Sequence, residues 1–206
     1  RKDGNLITEM DTIVTSDDDA EIRKISITNK SSYSRTIEVT SYCELTLASY
    51  NADLVHPAFS NLFINTEFIG NPFCILANRR PRSIKDKNVW IMQTVTSDTE
   101  SLGRIEYETN RENFIGRCRD LSNPQAMENE APLKNTVGSV LDPIISIRIR
   151  FKIEPGKTCN IAYTTAVGNS KEEVIELANK YSKKENINRA LNLLNTSTKL
   201  NMKYLG

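Results

Sequence analysis

Strict alternation of apolar and polar side chains near the end of the sequence is the feature that most constrains the fold of this chain. Between residues 145 and 154, each apolar residue is followed by a polar one. A period of two places all the apolar side chains on one face of an extended strand, whereas an α-helix would spread them around its axis. The pattern therefore predicts a strand with one face in a core. Its apolar residues are Ile145, Ile147, Ile149, Phe151 and Ile153, and its polar residues are Ser146, Arg148, Arg150, Lys152 and Glu154.

The same period recurs along much of the first 169 residues, between Ile37 and Leu47 above all. Two turn-forming segments, Asn29–Ser32 and Pro155-Gly156, each separate two such strands and predict antiparallel hairpins. Many strands with few helices between them favour antiparallel pairing in two stacked sheets. We therefore predict a mainly β protein with the architecture of a β-sandwich. Further strands are predicted at Leu6–Val14, Val89–Val95, Arg104–Thr109 and Cys159–Val167.

The pattern changes to a helical one at Ser170. The segment Ser170-Lys171-Glu172-Glu173 has the spacing of a capping box, and apolar residues at helical spacing follow it. Two interpretations stay open: the helices pack on the same sandwich, or they link it to a following domain. We assign residues 1–169 to a β domain and residues 170–206 to a helical linker. The two apolar stripes are Val174, Leu177, Ala178 and Tyr181, then Ile187, Leu191, Leu194, Thr198 and Met202.

Charge and cysteine content limit the classes of partner. The chain has 206 residues, of which 27 are basic and 26 acidic, so its net charge of +1 predicts no attraction to nucleic acid or to an anionic membrane. Its four cysteines are far apart, which predicts reduced thiols and a cytoplasmic location rather than a disulfide framework or a metal site. No apolar run reaches the roughly 18 residues that a membrane span needs. The opening Arg1-Lys2-Asp3-Gly4 lacks an initiator methionine, so we expect a piece of a longer protein.

His56 is the only histidine of the chain and lies in an aromatic-rich segment, Asp53–Phe63, that we expect to form a loop. A Ser-His-Asp triad would have to use it, but no G-x-S-x-G motif presents a serine. The acidic run Asp17-Asp18-Asp19 lacks the alternate spacing of a calcium loop and predicts a solvated turn. We therefore predict no catalytic residue, no metal site and no cofactor within this chain.

Arginines form two short clusters, one at Arg79, Arg80 and Arg82 and one at Arg117 and Arg119. Guanidinium groups make paired hydrogen bonds with carboxylates, phosphates or adjacent sugar hydroxyls. Two interpretations stay open: pairing with nearby acids of the chain itself, or contact with a carbohydrate or a neighbouring domain. The predicted contact residues are His56, Phe59, Asn61, Arg79, Arg80, Arg82, Arg117 and Arg119.

Four segments carry a resemblance to a known family: Asp53–Ser60, Asn78–Arg82, Gly116–Leu121 and Gly138–Pro143. Together they resemble the glycoside hydrolase family 94 region of cyclic β-1,2-glucan synthases, formerly glycosyltransferase family 36. The similarity runs over essentially the whole chain in order, including Lys180-Tyr181 and Asn188-Arg189-Ala190. One departure is Cys118, where the resemblance leads us to expect glycine. A side chain there is unfavourable if the turn needs a positive φ.

The resemblance implies a galactose-mutarotase-like antiparallel supersandwich, followed in full-length relatives by an (α/α)6 barrel. That barrel carries the acid for inverting phosphorolysis, with inorganic phosphate or glucose 1-phosphate as co-substrate. The chain is then a non-catalytic, carbohydrate-associated domain of a β-glucan phosphorylase or cyclic glucan synthase, inactive alone. The implied partners are a β-linked glucan or oligosaccharide, its own catalytic barrel and a second copy in a homodimer. The implied location is the cytoplasm, or the cytoplasmic part of a membrane-bound synthase.

Two alternatives remain beside this interpretation. The first is a purely structural sandwich that serves only subunit contacts. The second is a stand-alone mutarotase-like epimerase, an enzyme type that uses two histidines and a glutamate for acid-base ring opening. Because the chain has one histidine, the second alternative is strongly disfavoured.

Overall fold

Two antiparallel sheets make up most of the molecule, which we describe from a computed structural model covering residues 1–81, 88–128 and 131–193. The strands are β1 (Lys2–Asp3), β2 (Leu6–Val14), β3 (Ala20–Asn29), β4 (Arg35–Thr40), β5 (Cys43–Glu44), β6 (Ile64–Gly70), β7 (Phe73–Arg79), β8 (Trp90–Ser97), β9 (Glu106–Asn110), β10 (Gly138–Ser139), β11 (Pro143–Ile153) and β12 (Thr158–Gly168). The helices are α1 (Tyr50–Val55), α2 (Pro57–Asn61), α3 (Arg111–Ile115), α4 (Lys171–Tyr181) and α5 (184–193), with a 3-10 turn at Gln125–Met127.

The large sheet has eight strands in the order β1-β2-β3-β12-β8-β7-β6-β10. The small sheet is built around β11, which pairs with β4 and β5 along one edge and with β9 along the other. All these pairs are antiparallel. The predicted mainly β, antiparallel two-sheet architecture is confirmed.

The core between the sheets follows the alternation of β11. All five apolar residues of that strand, from Ile145 to Ile153, are at most 2% exposed. They face Ile75, Ile161 and Tyr163 of the large sheet. The predicted apolar face is therefore confirmed, and it joins both sheets in one hydrophobic cluster.

The polar face of β11 is not solvent-facing throughout, because a cover segment (residues 111–128 and 131–136) lies over the small sheet. Phe114, Ile115, Ala126 and Leu133 of this cover segment pack with Ile144. Arg148, on the polar face, is only 2% exposed. Its guanidinium donates to the carbonyl of Ala126 and to that of Ala131 (2.8 Å).

Both predicted hairpins are wrong, because each turn carries the chain from one sheet to the other. β3 pairs with β2 and β12 in the large sheet, whereas β4 pairs with β11 in the small one. Asn29 joins the two crossings: its Nδ2 donates to the carbonyl of Ile153 (3.0 Å), and its backbone N–H donates to that of Lys157 (3.0 Å). This long-range bonding places the flanking strands face to face across the core.

The predicted strand Ile37–Leu47 is interrupted after Thr40. The register continues across the gap, since Thr40 lies opposite Arg148 and Cys43 opposite Ile145. At the gap, the N–H of Ile147 donates to the hydroxyl of Ser41 (3.0 Å) instead of to a strand carbonyl. The same hydroxyl donates to Gln93 of the large sheet (2.7 Å). A side chain therefore replaces one ladder bond and links the two sheets.

α4 and α5 cover the outer face of the large sheet. The hydroxyl of Ser170 accepts from the N–H of Glu173 (3.1 Å), and the Glu173 carboxylate accepts from the N–H of Asn169 (2.7 Å), one residue before the predicted partner. Val174, Ala178 and Tyr181 are at most 2% exposed. Packing on the same sandwich is thus confirmed for α4. Leu194, Thr198 and Met202 lie outside the described residues, and the linker role of residues 170–206 stays a prediction.

Candidate functional site

The segment around His56 forms two short helices, not the loop that the sequence predicted. α1 ends at Val55 and α2 starts at Pro57, with His56 between them at φ −148° and ψ 72°. A residue before proline is kept out of the helical region, which explains the break. The side chain of His56 is exposed. The helices are too short for periodicity in the sequence to reveal them.

Large apolar side chains are exposed on these two helices and the residue that follows them. Tyr50, Leu54 and Val55 are 77%, 67% and 65% exposed, and Phe59 and Leu62 are 48% and 50% exposed. We name these five residues the apolar surface. Soluble domains seldom leave so many large apolar groups in water unless the surface contacts something.

Arg79 fastens α2 to the end of β7. Its Nη1 donates to the hydroxyl of Ser60 (2.5 Å), and its guanidinium lies 5.8 Å from the centroid of the Phe63 ring. The N–H of Arg80 donates to the carbonyl of Phe63 (2.8 Å), while its side chain is exposed. Arg79 is therefore engaged within the chain, and the Arg80 guanidinium points to solvent. Arg82 lies outside the described residues.

A polar network ties the same end of α2 to the small sheet. Asn61 donates to Asp142 (3.1 Å), and Asp142 lies 3.6 Å from the guanidinium of Arg111. Arg111 also pairs with Glu44 (3.2 Å), which accepts from the hydroxyl of Tyr42 (2.8 Å). Burial and the bond to Glu44 raise the pKa of Tyr42 to about 12. Of these residues, the sequence predicted Asn61 as a contact residue and placed Asp142 in a family segment, but it did not indicate Arg111, Glu44 or Tyr42.

Arg117 and Arg119 occupy a turn of the cover segment, which places them in a different unit from Arg79 and Arg80. Arg119 pairs with Glu128 (2.5 Å), and Arg117 is exposed. Cys118 has a φ of 59°, so the backbone does adopt the conformation that favours glycine. At Gly116, a Cβ would lie 2.7 Å from Oε1 of Gln125, so a side chain there would collide with the 3-10 turn.

The acidic run is bonded to α4 through Asp18, and the cysteines form no disulfide. Asp18 accepts from Lys180 and from the hydroxyl of Tyr181, both at 2.5 Å. Burial pushes the pKa of Asp18 upward, but these hydrogen bonds outweigh it and leave the pKa below its ordinary value. All four cysteines are free thiols. Across the residues that the structure describes, no group of three or more acidic, histidine or cysteine side chains could hold a metal ion.

The structure thus brings together one part of the predicted contact set. Phe59, Asn61, Arg79 and Arg80 lie on or against α2, and His56 precedes its first turn. The Arg117 and Arg119 pair belongs to the cover segment. Within the described ranges, no helix is long and apolar enough to cross a membrane.

Comparison with known families decides the identity of the domain. Residues 1–184 match the model of the glycosyl hydrolase 94 supersandwich domain. The chain belongs to this family. The matched range includes the whole of α4, in keeping with the packing of that helix on the large sheet.

Among known proteins, the GH94 supersandwich domain described here is similar to the cyclic beta-(1,2)-glucan synthase NdvB of Rhizobium meliloti (strain 1021). The two are 33% identical over 203 residues, which is 98% of this chain but 7% of that protein. Two solved structures are distant neighbours at 10% identity. A polysaccharide lyase has a TM-score of 0.44 over 83% of this chain and 21% of its own, and a putative kojibiose phosphorylase from human microbiome has 0.42 over 94% and 19%.

Proposed function

We propose that this GH94 supersandwich domain is the non-catalytic, carbohydrate-associated part of a β-glucan phosphorylase or cyclic β-1,2-glucan synthase. It acts beside an (α/α)6 catalytic barrel that uses inorganic phosphate or glucose 1-phosphate. The partners are that barrel and a β-linked glucan. Support comes from the family assignment and from the similarity to a protein named as a cyclic glucan synthase. Four free thiols suit a reducing, cytoplasmic location.

The observation that carries this proposal is the exposed apolar surface on α1 and α2, with Arg80 beside it. Apolar side chains in water gain free energy when another surface covers them, by about 25 cal/mol for each Å² buried. Arg79 and Asn61 fix α2 to β7 and to Asp142, so the part of the surface on α2 is held in a set orientation. A rigid apolar patch with an exposed guanidinium suits a protein surface or the ring faces and hydroxyls of a sugar.

The chemistry of the chain supports a role without catalysis. An acid-base mechanism of the mutarotase type needs two histidines, and the chain has one. His56 is exposed, beside α1 and α2, whose outward residues are largely apolar. We therefore place the acid that protonates the glycosidic oxygen in the barrel.

The test of this proposal is Arg80→Ala in the full-length parent protein. We expect the Michaelis constant for β-1,2-glucan to rise, or the turnover to fall, because Arg80 contacts the glucan or the barrel. Arg104→Ala is the matched control, since Arg104 is also exposed but lies just before β9. If Arg80→Ala and Arg104→Ala both leave glucan binding and activity unchanged, Arg80 has no such contact.

A second candidate function is a structural sandwich that forms a homodimer, and the apolar surface favours it too. Sedimentation of the isolated chain separates the two. A dimer that dissociates in Leu54→Ser with Phe59→Ser would support self-association through this surface. A monomer at all concentrations would instead indicate that the apolar surface contacts the barrel or the glucan.

A further inference from the structure

A cavity lies between the outer face of the large sheet and the start of α5. Its volume is about 260 Å³. Ala162 of β12 lines it, and this residue pairs with Lys24 of β3 on one side and with Thr96 of β8 on the other. Ile187 of α5 lines it as well. Because the alanine side chain is small, the sheet and the helix leave a space close to the lower end of the range for ligand pockets, about 300 Å³.

The cavity offers hydrogen-bond donors that the described residues do not use. Lys24 and Lys184 line it, and the ammonium group of neither forms a hydrogen bond or a close ion pair with a described residue. Asn188 of α5 also lines it, and its exposed side-chain amide has no hydrogen-bond partner within the described ranges. A ligand that supplies acceptor oxygens would therefore find three donor groups there.

The cavity also offers acceptors. The hydroxyl of Thr96 donates to the carbonyl of Tyr181 (2.9 Å), which leaves its oxygen able to accept. Asp98 accepts three hydrogen bonds, two from Asn160 (2.8 and 2.7 Å) and one from the hydroxyl of Thr99 (3.1 Å). Since a carboxylate can accept about four, Asp98 has room for one more.

The charges around the cavity favour a neutral ligand over an anion. Asp98 lines the cavity, and Asp11 of β2 lies opposite Lys24. An anion that approached the two ammonium groups would therefore meet two carboxylates as well. The hydroxyl groups of a sugar carry no charge and both donate and accept hydrogen bonds. The C–H groups of its ring can lie against the apolar side chains of Ala162 and Ile187.

We propose that this cavity binds one sugar unit of a β-linked glucan. Hydroxyl groups of the sugar accept from the two lysines and from the asparagine amide, and one hydroxyl donates to Asp98. The choice of a glucan rests on the proposed function, but the site is separate from α1 and α2. Asp98 follows the last residue of β8, whereas α2 is fastened to Arg79, next to the pairing of Asn78 with Trp90 at the start of β8.

The test is an NMR titration of the isotope-labelled 206-residue chain with the β-1,2-linked disaccharide of glucose. We expect saturable shifts of the backbone amides of Asp98, Lys184 and Asn188. Lys184→Met is expected to weaken binding at least fivefold, because a charged donor to the sugar is lost. Lys183→Met is the matched control, since it removes the same charge from an exposed neighbour that does not line the cavity. Ala162→Leu fills the cavity and should abolish binding.

Four results would overturn the proposal. The first is no saturable shift in the wild-type chain. The second is a set of shifts confined to α1 and α2, which would support the proposed function but not this cavity. The third is equal affinity of Lys184→Met and Lys183→Met for the disaccharide. The fourth is binding of inorganic phosphate at the cavity as tightly as the disaccharide, which would make it an anion site. If Ala162→Leu does not fold, the two lysine variants decide.

Discussion

At the scale of single residues, Arg148 is the side chain on which the cover segment most depends. Its guanidinium bonds to two cover carbonyls and to Thr40 (3.1 Å), and it lies 3.2 Å from Glu38 and 3.6 Å from Glu106. We predict that Arg148→Met destabilises the domain by about 3 kcal/mol. The substitution removes the guanidinium, so the carboxylates and carbonyls that bind it lose their partner. Urea denaturation measures this loss.

Arg150→Met is the control for that prediction. Arg150 is on the same face of β11 and also binds Glu38, but its side chain is 35% exposed. We expect a loss of about 1 kcal/mol or less, since exposed ion pairs contribute little. If both variants lost the same free energy of unfolding, the burial of Arg148 would not explain the effect of its substitution.

For Cys118, in contrast to Arg148, we predict that a substitution stabilises the domain. Its φ of 59° is unfavourable for any residue with a Cβ, and its side chain is exposed. We expect Cys118→Gly to raise the free energy of unfolding by about 0.5 to 1 kcal/mol, net of the added freedom of glycine in the unfolded chain. Cys118→Ala keeps the strain and should match wild type. A glycine variant no more stable than the alanine variant would contradict the strain argument.

At the scale of elements, the sequence predicts which segments are strands better than it predicts how they pair. The alternation identifies β11 because a period of two can be recognised from consecutive residues alone. The turns at Asn29 and Pro155-Gly156 show only that the chain reverses. Whether the flanking strands share a sheet depends on the bonds of Asn29 to Ile153 and Lys157, more than a hundred residues away. Those contacts leave no local pattern.

The attachment of α4 is an element-scale prediction that depends on pH. The Asp18 carboxylate holds Lys180 and Tyr181 at the end of this helix. A folded-state pKa below the ordinary value of 3.8 means that the bond stabilises the fold above that pH and is lost as pH falls through the lowered pKa. We expect Asp18→Asn to cost about 1 kcal/mol at pH 7.

Urea denaturation of wild type and Asp18→Asn from pH 7 down to acid pH measures this dependence. The difference between them should shrink only below the ordinary pKa of aspartate. Asp17→Asn, which changes the exposed neighbouring residue, is the control and should follow wild type throughout. A difference between wild type and Asp18→Asn that does not change with pH would show that the charge of Asp18 is not responsible.

At the scale of the whole molecule, the family segments of the sequence identify the domain, while the site emerges only from the fold. Asp53–Ser60 and Gly138–Pro143 are far apart in the chain, yet Asn61, which directly follows the first segment, bonds to Asp142 in the second. The Arg79 and Arg117 clusters look alike in sequence but belong to different units, because one ends β7 and the other lies in the cover segment. Charge and composition do not show which of these segments lie close together in the fold.

The central claim at this scale is that the domain performs no glycosyl chemistry of its own. The most direct measurement is glucose 1-phosphate formation by the isolated 206-residue chain with β-1,2-glucan and inorganic phosphate, with the full-length parent as positive control. We predict turnover by the parent and none above the protein-free blank by the isolated chain. Turnover that purifies with the isolated chain would contradict the claim.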